Sequence, residues 1–177
     1  MQDRKLRLRK MSLCAVFLAA SVIISFVESM SGINGFIPLP GVRLGFCNIA
    51  VMACLFLVSS TGAFAIAVIR PLFLFLFSGN PVSLAMSFCG GMLSFLSLVV
   101  TKKLYGRVLS FAGISCISAV FHSIGQLAAA MMLMSDVSLV CYLPVFVAAS
   151  SVAGSVSGSV MNIIMPRLSK IQITEVQ

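Results

Sequence analysis

Six apolar runs, at roughly 11–27, 44–60, 62–78, 81–101, 108–134 and 138–165, decide what this chain can fold into. Each is long enough for a membrane-crossing helix, which needs about 17 residues or more, and none alternates as the short strands of an outer-membrane barrel do. Charged residues make up 9% of the 177-residue chain, against about a quarter in soluble domains. The chain therefore reads as an all-α integral membrane protein, a bundle of six transmembrane helices. It divides into a basic N-terminus (1–10), the six-helix domain (11–168) and a tail (169–177), with no length left for a separate soluble domain.

Charge orients the bundle. Arg4, Lys5, Arg7, Arg9 and Lys10 crowd the start, and the apolar run that follows is too long for a signal peptide's core. It also lacks a small-x-small cleavage site before Glu28, so it is read as a retained first helix. With the N-terminus inside, Lys102, Lys103, Arg107, Arg167 and Lys170 also face the cytoplasm, ten of the twelve Lys and Arg. This positive-inside bias gives an N-in, C-in orientation in a multi-pass chain of a bacterial cytoplasmic membrane. It also accounts for the net charge of +8 without any nucleic-acid partner. Arg43 and Arg70 are the two cations left over.

Arg43 ends a loop that begins at Glu28. Pro38 and Pro40 cannot lie inside a helix, Gly41 gives a turn, and the chain turns apolar again at Leu44, with Asn48 about one turn further in. This stiff segment is either a lid or rim over something held between helices, or a plain outer turn whose arginine snorkels to the headgroups. Glu28 itself reads as an acid at the outer interface.

Arg70, followed by Pro71, falls near the bilayer midplane, where an arginine costs about 2.5–3.5 kcal/mol on insertion scales. It must point into the bundle, towards a partner or a polar cavity, and Pro71 is expected to open the helix and free carbonyls for it. His122 and Gln126 share a face of the fifth helix at similar depth, with Ser118 one turn below. Such a histidine makes either an interhelical hydrogen bond or a ligand contact; the matching depth of Arg70 points to a site.

Small residues mark packing seams at Ser83, Ser87, Gly90, Gly91 and Ser94, and at Ser150, Gly154 and Gly158. Ala15 and Ala19 form a further small pair on the first helix. The six cysteines (Cys14, Cys47, Cys54, Cys89, Cys116, Cys141) lie in apolar runs with no CxxC spacing. They read as packing residues, with no metal or cofactor implied.

The order of Glu28, PLPGVRLGFCN (38–48), a mid-helix arginine, Gly90-Gly91 and AVFHSIGQL (119–127) resembles the Gx transporter family. That family is also labelled heptaprenyl diphosphate synthase component I, and it is similar to the S components of energy-coupling factor transporters. The family pattern reads His-Asn where this chain has His122-Ser123. The resemblance implies a ligand site near the outer face, capped by the loop after helix 1, and a first helix that contacts a transmembrane coupling subunit driven by ATPases. Ala15 and Ala19 fit that contact.

Catalysis is excluded on chemistry. Prenyl elongation needs clustered aspartates to hold magnesium, and the four acids here (Asp3, Glu28, Asp136, Glu175) are scattered. The reading is a substrate-binding membrane subunit, S-component-like, of an importer for a small anionic micronutrient or precursor. Arg43, Asn48, Arg70, His122 and Gln126 would bind the ligand, and Pro38, Pro40 and Gly41 would form the lid. The alternatives are a non-catalytic membrane subunit or anchor of heptaprenyl diphosphate synthase, and a purely structural membrane protein.

Overall fold

The computed structural model describes residues 2–30 and 43–174. The lid residues Pro38, Pro40 and Gly41 lie outside the described residues. Those described form helices α1 (Gln2–Met30), α2 (Asn48–Leu57), α3 (Ser60–Ser78), α4 (Pro81–Lys102), α5 (Phe111–Met134) and α6 (Leu143–Thr174), with a 3₁₀ segment at Val137–Tyr142. Five helices are long and apolar enough to cross a membrane, all except α2. The protein is thus an all-helical, multi-pass membrane protein.

Three boundaries differ from the sequence reading, one of them at α6, which continues to Thr174 through the first part of the 169–177 tail. The basic N-terminus is continuous with the first helix as the opening part of α1, because its Arg, Lys and Leu residues are all good helix formers. The second apolar run holds only ten helical residues, about 15 Å of rise, because the chain stays non-helical from Arg43 to Cys47.

The helix ends are built from local polar groups. Ser59 Oγ accepts from the Gly62 N–H at 3.0 Å to start α3, and Gly79 closes that helix with φ +62°. Asn80 Oδ1 accepts from the Val82 N–H at 2.9 Å, with Pro81 at the first position of α4, where its missing N–H is harmless. Lys102 Nζ donates to Leu55 O at 2.7 Å, which satisfies a terminal carbonyl of the short α2.

Helix α5 packs extensively against α4 and α6, while the short α2 touches every other helix. Glycines let the backbones touch. A Cβ at Gly125 would stand 2.8 Å from Cys89 O, and one at Gly154 would stand 2.6 Å from Cys116 Cα. The seams read from sequence on α4 and α6 are therefore packing faces, as expected where lipid offers no hydrophobic drive for association. Helix α1 packs on α2 and α3 at the edge of the bundle, and Ala15 and Ala19 are exposed there.

Proline does not break α3. The helix runs through Pro71, whose missing N–H leaves Ala67 O without its usual donor. That carbonyl faces α4 at Gly91, where a Cβ would lie 3.4 Å from it and 3.3 Å from Arg70 Nη2.

Candidate functional site

The non-helical entry to α2 organises the site. Arg43, Gly45, Cys47 and Asn48 are buried, and backbone at such a place needs partners that a helix would have supplied internally. Two side chains supply them. Glu28, from the end of α1, accepts with Oε1 from the N–H of Leu44 and from that of Gly45, the latter at 3.1 Å. Gln126, from α5, accepts the Arg43 N–H with Oε1 at 3.0 Å and donates from Nε2 to Arg43 O at 3.1 Å. Gly45 has φ +89°, a left-handed conformation that suits glycine, and any Cβ there would press on Asn48 Nδ2 and the His122 ring.

Glu28 is therefore not the interfacial acid that its position suggested. It is 4% exposed, because α1 turns the stripe Ser21, Ser25 and Glu28 into the bundle. That stripe, at spacings of four and three, is the sequence signal that could have found it. Cys47, read as packing material, also takes part: Arg70 Nη1 donates to its Sγ.

Arg70 is 0% exposed and points inward, as the cost of a midplane cation requires. It lies within electrostatic reach of Glu28 and His122, and Arg43 lies within reach of the same two groups. His122 is also fully buried, and its Nε2 meets Gln126 Nε2. An amide nitrogen can only donate, so that ring nitrogen accepts, which places the ring proton on Nδ1, an atom with no hydrogen-bond partner among the described residues.

All five residues picked as ligand contacts thus converge around one segment. They do not surround one open space. A cleft of about 340 Å³ is lined by Arg43, while Arg70, His122 and Gln126 are not among its lining residues. What marks the cluster is a surplus of donors. Arg43 Nη1, Asn48 Nδ2 and Arg70 Nε and Nη2 are buried with no hydrogen-bond partner among the described residues. Two guanidinium groups share this region with the single carboxylate of Glu28.

The fold and this buried polar cluster define a multi-pass helical membrane protein with a non-helical segment held inside its bundle. The chain belongs to the family described as heptaprenyl diphosphate synthase component I, whose model matches residues 17–164. No curated protein and no solved structure matches it.

Proposed function

We propose that this chain is the substrate-binding membrane subunit, S-component-like, of an energy-coupled importer for a small anionic micronutrient or precursor. The observation that carries the reading is the buried donor surplus. Four N–H-bearing atoms on Arg43, Asn48 and Arg70 lack partners among the described residues, and the shared chemistry that would satisfy them is an anion rich in acceptors. Transporters place non-helical backbone and helix ends at their ligand sites, and the Arg43–Cys47 entry to α2 likewise sets non-helical backbone among buried polar side chains. On this reading Arg43, Arg70 and Asn48 hold the anion, while Gln126 and His122 position Arg43. The subunit is non-catalytic.

The proposed topology has six crossings, N-in and C-in, in a bacterial cytoplasmic membrane. Helix α2 supplies about 15 Å and the five residues before it at most about 16–18 Å, enough together for a hydrocarbon core of about 30 Å. The exposed Ala15 and Ala19 on α1 would meet a transmembrane coupling subunit with its ATPases.

Mass spectrometry of small molecules that copurify with the full chain tests the function. An acidic compound retained by the wild type and lost from Arg70→Met supports it; identical retention by both would defeat it. The family description favours a second reading, a membrane component associated with heptaprenyl diphosphate synthase. Copurification from the native membrane separates the two. A prenyl synthase subunit that remains bound when Ala15→Leu/Ala19→Leu is introduced, with no ATPase recovered from the wild type, supports the second.

A further inference from the structure

We infer that the ligand is a monocarboxylate whose two oxygens are held side by side by Nε and Nη2 of Arg70; this rests on the anion-binding reading above. The N–H groups of a guanidinium are not equivalent. Nε and Nη2 lie on one edge of its plane and donate in the same direction, a fork that matches two oxygens of one acidic group. In Arg70 that edge is the part left over. Nη1 donates to Cys47 Sγ, whereas Nε and Nη2 have no hydrogen-bond partner among the described residues, on a side chain that is 0% exposed. Cys47 thus occupies the nitrogen outside the fork and holds the guanidinium from the far side.

Gly91 keeps the fork clear. A Cβ there would stand 3.3 Å from Arg70 Nη2, closer than side chains ordinarily pack, so a missing side chain leaves space at the fork. Gly90 beside it serves another purpose. Its Cβ would stand 2.8 Å from His122 O and from Gln126 Cγ, which makes it a packing glycine between α4 and α5. The Gly-Gly pair therefore has two roles, one in packing and one at the site. Leu74, one turn from Arg70 on the buried face of α3, lines the cleft together with Arg43, so the cleft approaches the fork along α3.

Charge selects a carboxylate over a phosphate. Arg43, Arg70 and Glu28 lie within electrostatic reach of one another, two guanidinium groups and one carboxylate. His122 accepts with Nε2 and holds a single ring proton, so it adds no charge. Residues 31–42, which lead up to Arg43, contain no Asp, Glu, Lys, Arg or His. Two positive charges and one negative leave one positive charge uncompensated among buried groups. A monocarboxylate cancels it, whereas a phosphate dianion would leave a net negative charge at the same depth.

The full chain in phosphatidylcholine nanodiscs is titrated by calorimetry with butyrate, butyramide and butyl phosphate, at a pH above the second ionisation of the phosphate. Butyrate is expected to bind at least about tenfold more tightly than the other two, the worth of one charge-assisted pair of hydrogen bonds. Arg70→Lys keeps the charge without the fork, and should cost butyrate about tenfold or more. Gly91→Ala should weaken butyrate without lowering the thermal midpoint as far as Gly90→Ala, whose cost is packing. Tighter binding of butyl phosphate than of butyrate, lost in Arg70→Lys, would overturn the monocarboxylate and leave the anion-binding reading standing. Butyrate binding unchanged in both Arg70→Lys and Gly91→Ala would overturn the fork and leave an anion site without Arg70. Butyramide as tight as butyrate, or no binding of any of the three, would overturn the monocarboxylate and the anion-binding reading together.

Discussion

Gln126 holds the backbone of Arg43 on both sides, accepting its N–H at 3.0 Å and donating to its carbonyl at 3.1 Å, across 83 residues of sequence. The glutamine behaves as a substitute peptide group. It completes the hydrogen bonding that Arg43 forgoes by lying outside a helix, and it sets where the guanidinium points. His122, one turn earlier on α5, fixes the amide in turn.

Gln126→Leu should therefore be strongly destabilising for its size. Two buried backbone groups lose their partners at about 1–3 kcal/mol each. The thermal unfolding midpoint in a fixed detergent should fall well below that of Ser123→Ala, a change of similar burial on the same helix.

Glu28 supports the same segment through one oxygen. Glu28→Gln keeps an acceptor oxygen and should be milder than Glu28→Ala, which leaves the Leu44 and Gly45 N–H groups without it. The expected order of midpoints is wild type, then Gln, then Ala. An Ala variant as stable as wild type would show that the segment is held by other groups.

Arg70→Met should abolish anion binding yet keep or raise thermal stability. The guanidinium is fully buried and two of its nitrogens have no partner among the described residues, so removing it removes an unpaid desolvation cost. Arg70→Lys should weaken binding, since an ammonium cannot present the planar fork. Parallel measurement of midpoint and ligand retention on all three proteins checks the pattern.

Gly125→Ala should cost about 1–3 kcal/mol by overpacking, because its Cβ would meet the α4 backbone at Cys89 O and Gly90 Cα. Gly106→Ala offers the contrast, a glycine with open space around it but φ +79°, where the cost is backbone strain alone. Unfolding midpoints of the two variants, measured side by side, test whether α4 and α5 are in backbone contact.

Topology is open to a direct check. In a background without cysteines, Lys103→Cys and Val137→Cys should label oppositely with an impermeant thiol reagent in intact cells, with Val137→Cys reacting from outside. Labelling of position 103 from outside would reverse the orientation.

The class of this protein was legible from its residues alone, because the bilayer imposes a one-dimensional rule: a long apolar run must be a helix that satisfies its own backbone. The inward direction of Arg70 followed from the same energetics, as did the shared face of His122 and Gln126 from the helical repeat. What those groups touch was decided only by the tertiary structure. Glu28 and Gln126 act on a backbone segment 16 and 83 residues away, and nothing in local propensity couples them. The shortness of α2 was equally hidden, since Leu44–Cys47 is as apolar as the helix it precedes. It stays non-helical because side chains from α1 and α5 arrive to replace the hydrogen bonds that an added helical turn would have formed, and only the assembled bundle brings them there.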